Sequence, residues 1–120
     1  MWKLFKVRRE IKDYWLAALK AGTHKRGTKI LRTLEDRYCF LGVLADLSVR
    51  YAGVVQTQDE ISYLYDGYRE CLPPKTVEWA KLKNPHAFSA QIGKSFTNLN
   101  DNGIPWEDLT QILEKHWESL

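Results

Sequence analysis

From Arg9 to Ala21 the apolar residues Ile11, Tyr14, Trp15, Ala18 and Leu19 recur at helical spacing, and Gly22 follows as a stop. The pattern predicts a helix over 9–21. Residues 38–52, YCFLGVLADLSVRYA, place Phe40, Leu41, Leu44, Leu47 and Tyr51 at the same period, while Val43 and Ala45 make other faces apolar as well. That is the mark of a central, buried helix. Gly42 inside it costs about 1 kcal/mol against Ala, so its presence predicts a close approach by another element. IPWEDLTQILEKHWESL has Pro105 at its start, acids in its first turn and Lys115 and His116 in its last, with Trp106, Leu109, Ile112, Leu113, Trp117 and Leu120 as a stripe. A third strong helix is predicted over 105–118.

Weaker signals lie between. Pro74 suits the first position of a short helix over 74–82. Ser95, Phe96 and Leu99 support one or two helical turns that NDNG breaks. Around 54–68 the period changes to alternation, with Ile61, Tyr63 and Tyr65 interleaved with Ser62, Leu64 and Asp66, and polar QTQDE read as a hairpin turn. Residues 23–37 read as a loop or a short strand pair. The expected fold is therefore mainly α: one compact domain over 1–120 with a small two-stranded β-ribbon.

Charge adds what periodicity does not. The net charge is +3, yet residues 1–34 hold ten Lys/Arg against Glu10 and Asp13, while the remainder holds eight bases and thirteen acids. The stretch AGTHKRGTKILR concentrates His24, Lys25, Arg26, Lys29 and Arg32 without an acid. Such a surface attracts polyanions or acidic partners, and Tyr63 and Tyr65, alternating onto one face, offer rings for a base to stack on. No GxSxG, P-loop, GxGxxG or HxxxH motif is present, so hydrolytic and phosphate-cradling signatures are absent. Cys39 and Cys71 have no CxxC or Cys/His spacing, and neither a metal site nor a cofactor is implied. No stretch approaches a membrane span, and the start of the chain lacks the apolar run of a signal peptide.

Two local features carry a functional and a structural reading each. Asn100, Asp101 and Asn102 present a carboxylate and two amides, or else cap and turn the chain before the last helix. Asp46, in the apolar helix, has Arg50 one turn on as an ion-pair partner.

Trp15, Ala18 and Leu19, then Tyr38, Cys39, Leu41–Leu44, Asp46 and Leu47, then Leu72 and Pro73, then Leu99, Asn100, Asp101 and Gly103 together form a pattern. It resembles that of a family of short phage and prophage proteins, YCxLGVLxDL … LP … LNDxG. Further cysteines of that family fall where this chain has Phe40 and Ala45, so no thiol site carries over. The resemblance implies a small helical phage protein acting in the host cytoplasm, and with it a function. The leading expectation is a non-enzymatic binding protein that captures an anionic ligand, a nucleotide signal of host immunity being the natural target. Lys25, Arg26, Lys29, Arg32 and His24 would hold phosphate, and a tyrosine or tryptophan would stack the base. The alternatives are an inhibitor whose basic face docks on an acidic host protein, and a small phosphodiesterase-like hydrolase of the same ligands. Direct nucleic-acid binding ranks lower, since the rest of the chain is acidic and carries no recognition motif. Self-association is also expected of so small a chain with surplus aromatics.

Overall fold

The computed structural model describes the backbone of residues 2–120 and the side chains of residues 9–120. In chain order the elements are α1 (Trp2–Lys20), β1 (Lys25–Arg26), β2 (Arg37–Tyr38), α2 (Phe40–Ala52), β3 (Gln56–Gln58), β4 (Tyr63–Tyr65), α3 (Pro74–Ala80), β5 (Phe88–Ser89), β6 (Lys94–Ser95), α4 (Phe96–Asp101) and α5 (Trp106–His116), with a closing 3-10 turn at Trp117–Ser119. Helices take up 46% of the chain and no strand exceeds three residues, so helix packing carries the architecture.

The predicted helices are present, with shifted ends. α1 begins earlier than expected, at Trp2, because the Lys and Arg residues of the start favour a helix even where no stripe is obvious. α2 is capped at its start by the Cys39 sulfur, which accepts from the Gly42 N–H (3.3 Å), and at its end by Gly53 at φ +73°, whose N–H returns to the Ser48 carbonyl. α3 starts at Pro74, with Pro73 as its cap.

The single expected ribbon is one of three two-stranded pairings. β3 and β4 pair antiparallel, Thr57 opposite Leu64; β5 and β6 form a second antiparallel hairpin; β1 and β2 pair in parallel, Lys25 with Arg37 and Arg26 with Tyr38. The ribbon's turn falls later than predicted. Gln56–Gln58 form a strand, and Asp59 makes the turn by accepting from the Ile61 and Ser62 N–H groups (2.8 and 2.9 Å).

The core is an aromatic cluster. Trp15 is fully buried and its ring meets Phe40 (5.1 Å), Phe96 (6.4 Å) and Trp117 (6.3 Å), while its Nε1 donates to the Phe40 carbonyl (3.1 Å). Leu109, Leu113 and Leu120 complete it from the C-terminal side. Gly42 is where the expected close approach occurs: an added Cβ would lie 1.8 Å from the Leu31 carbonyl oxygen. Two predicted core residues are not there. Tyr14 and Tyr51 are 44% and 45% exposed and stack on each other outside the core, centroids 5.3 Å apart.

Candidate functional site

The segment from Thr23 to Tyr38, cationic and short of regular structure, is held in place from three directions. On one side α4 grips it. The fully buried Asn100 donates through Nδ2 to the Gly27 carbonyl (3.0 Å) and accepts the Trp106 Nε1–H (2.8 Å), and its backbone carbonyl accepts the Arg26 guanidinium (2.9 Å). Asp101 accepts the Lys29 backbone N–H (2.8 Å), with Lys29 at φ +71°. Neither residue acts as a cap in the manner expected for LNDNG: they staple the loop. In the middle, Leu31 donates to the Arg69 carbonyl (2.8 Å) and accepts from Cys39 (3.3 Å).

The third attachment is a polar cluster around Asp46. His24 Nε2 meets Asp46 Oδ2 at 3.2 Å, and the Tyr65 hydroxyl donates to Oδ1 at 3.2 Å. An Arg32 nitrogen approaches Oδ1 at 3.9 Å. Arg32 also donates twice to Asp36 (3.0 and 2.6 Å) and once to Gln56 (3.1 Å), and its guanidinium lies over the Tyr63 ring at 4.0 Å and the Tyr38 ring at 5.0 Å. The expected Asp46–Arg50 pair is not formed among the described residues; Arg50 faces the Tyr51 ring instead. A carboxylate projecting from an apolar helix is better satisfied by donors from two distant segments than by one exposed neighbour.

Electrostatics of the cluster follow from this packing. Burial opposes the Arg32 charge, but hydrogen bonding with Asp36 and Tyr65 outweighs it and holds the guanidinium protonated. Burial, then the Asp46 charge, pushes the Tyr38 phenol up to about 12, and the same two causes raise Tyr65. The cluster keeps one Thr–His–Asp row: Thr23 Oγ1 lies 3.2 Å from His24 Nδ1, so with its proton on Nε2 the imidazole accepts from a hydroxyl and donates to a carboxylate.

The residues singled out in the sequence thus divide. His24, Arg32 and Tyr65 converge on Asp46, and Tyr63 lies against Arg32. Tyr65 is fully buried, and Tyr63 is half-buried with the Arg32 guanidinium over one face of its ring. Arg32 directs three hydrogen bonds to Asp36 and Gln56, and Arg26 directs one to the Asn100 carbonyl. Lys25 and Lys29 remain exposed, joined by Arg37, which the sequence reading passed over; its neighbours Glu35 and Asp36 disguised it as part of a neutral run. Of the other bases counted in the first third, Lys3, Lys6 and Arg8 have side chains outside the described residues. Among the described residues no group of three His, Cys, Asp or Glu side chains is placed to hold a metal, and no helix is long and apolar enough to cross a membrane. Both cysteines are free thiols; burial pushes that of Cys39 up to about 12.

Residues 7–117 match the family described as Domain of unknown function (DUF8296). The chain belongs to that family. No curated protein and no solved structure matches it.

Proposed function

We propose that the chain is a non-enzymatic binding protein that captures an anionic ligand through Lys25, Lys29 and Arg37. One observation carries the reading: Lys25 and Arg37 are direct partners across the β1–β2 pairing, and both are exposed. Like charges set opposite one another destabilise a pairing, and neither side chain has an acidic partner among the described residues. An anion relieves that repulsion. The loop is also preorganised, since Asn100 and Asp101 hold its backbone and Asp46 its His24 side chain before any ligand arrives, which lowers the entropy lost on binding. Arg26 and Arg32 serve as scaffold in this reading.

Phosphate is the chemistry that two adjacent cations and a third nearby suit best. The resemblance to phage proteins makes a nucleotide signal of the host the ligand class to test first, with the host cytoplasm as the place of action. Calorimetric titration of the folded protein against cyclic oligonucleotides and mononucleotides checks this. Heat that disappears in Lys25→Glu/Arg37→Glu supports the reading, and no heat from any of them refutes it.

A second reading has its own support. Lys25, Lys29 and Arg37 are all exposed and line none of the depressions found among the described residues, and exposed cations outside a hollow suit a broad acidic protein surface. A stoichiometric protein captured from host lysate, and lost with the same double variant, favours it. The hydrolase alternative rests on the Thr23–His24–Asp46 row; it predicts product in the titration mixture and its loss in Thr23→Val.

A further inference from the structure

Away from the cationic loop, three aromatic rings form a row on the surface. Tyr14 of α1 stacks on Tyr51 of α2 (5.3 Å, planes within 10°), and Tyr51 stacks on Trp79 of α3 (6.1 Å, within 12°). Tyr14 and Tyr51 are 44% and 45% exposed, while Trp79 is half-buried and packs partly against the core. The row ends at a depression of about 440 Å³ lined by Ala52, Lys75, Glu78, Trp79 and Lys81.

The lining residues have the makings of a site for a flat, anionic molecule. Lys75, Glu78 and Trp79 share one face of α3 by their i, i+3, i+4 spacing. Lys81 caps the helix at φ +57°, a left-handed conformation that costs a residue with a side chain about 1 kcal/mol or more. Among the described residues Lys75 reaches the Gly53 carbonyl alone, at 3.5 Å, and Lys81 has no side-chain partner. An indole, two ammonium groups and one carboxylate therefore border one shallow, open depression.

We infer that this depression binds a nucleoside monophosphate, its base extending the Tyr14–Tyr51–Trp79 row, its phosphate held by Lys75 and Lys81, and its ribose hydroxyls donating to Glu78. The site is separate from the Lys25–Arg37 surface and does not depend on it.

Titration of the full chain with AMP, adenosine and inorganic phosphate, followed by calorimetry, tests the inference. AMP binds more tightly than either of its parts. Trp79→Ala weakens AMP about tenfold or more, within the range measured for loss of one base–aromatic stack, whereas Trp79→Phe keeps most of the affinity. Lys75→Glu/Lys81→Glu weakens AMP by a similar factor and leaves adenosine unchanged; this pair and Trp79→Phe decide the matter should Trp79→Ala not fold. Lys25→Glu/Arg37→Glu leaves AMP binding as it was. Absence of AMP binding, or AMP affinity indifferent to both Trp79→Ala and Lys75→Glu/Lys81→Glu, overturns the inference. AMP affinity lost only with Lys25→Glu/Arg37→Glu overturns it too, while leaving the anion-capture reading in force.

Discussion

α2 is anchored twice, and the two anchors differ in kind. At its start Phe40 lies in a ring-packed core with Trp15, Phe96 and Trp106. Two turns later Asp46 gathers His24, Tyr65 and Arg32 at the protein's edge, itself 30% exposed against 16% for His24 and for Arg32. The first anchor works through buried area and is indifferent to small changes in angle. The second works through directional bonds, which add to the burial of Leu31 in fixing the loop. The contrast teaches that the core sets where helices lie, whereas the polar cluster and the Asn100 staple set where the loop lies, and hence which cations face outward.

The comparison can be broken at either anchor. Trp15→Ala empties the core's centre and should cost about 3–5 kcal/mol in urea unfolding, with loss of cooperativity if the aromatic cluster is the folding unit. Gly42→Ala drives a methyl group into the Leu31 backbone; about 3 kcal/mol is expected, and a cost below about 0.5 kcal/mol would mean that the loop is not packed on α2 as described. Asp46→Ala should cost less, about 1–2 kcal/mol, but with a different signature: faster amide hydrogen exchange confined to 24–38, leaving the core protected.

A pH scan sharpens the contrast further. The folded protein holds Tyr38 at about 12, above its ordinary 10, so the folded state keeps a proton that the unfolded state loses. The resulting stability is complete below pH 10 and drains away as pH rises from 10 towards 12. Tyr65 acts in the same direction. Tyr38→Phe should flatten that alkaline decline, measured as melting temperature against pH; an unchanged decline would exclude Tyr38 as its source.

Much of the first anchor was legible in the sequence and little of the second. Leu109 and Leu113, fully buried, follow from spacing alone, as does the end of α2 at Gly53. Tyr14 and Tyr51 were misassigned because a helical stripe locates a face but not its margin, and both residues lie at the margin where they meet each other. Asp46 found its partners 19 and 22 residues away, beyond any local rule, and the local rule supplied Arg50 instead. Asn100 reads as a turn residue because its partner at Gly27 is 73 positions distant. The hairpin at 88–95 escaped notice because two-residue strands are too short to show alternation. Of the candidate site, the sequence located the cationic loop but not which cations remain free, since that depends on Gln56 and Asn100 arriving from elsewhere.

The central claim is that Lys25, Lys29 and Arg37 form an anion-capturing surface on a loop already fixed in place. Amide chemical shifts followed during titration with a cyclic dinucleotide test it most directly. The account predicts saturable shifts at residues 25–29 and 37, abolished in Lys25→Glu/Arg37→Glu with the melting temperature unchanged. Shifts that leave those amides untouched, at ligand concentrations where the protein is otherwise seen to respond, would contradict it.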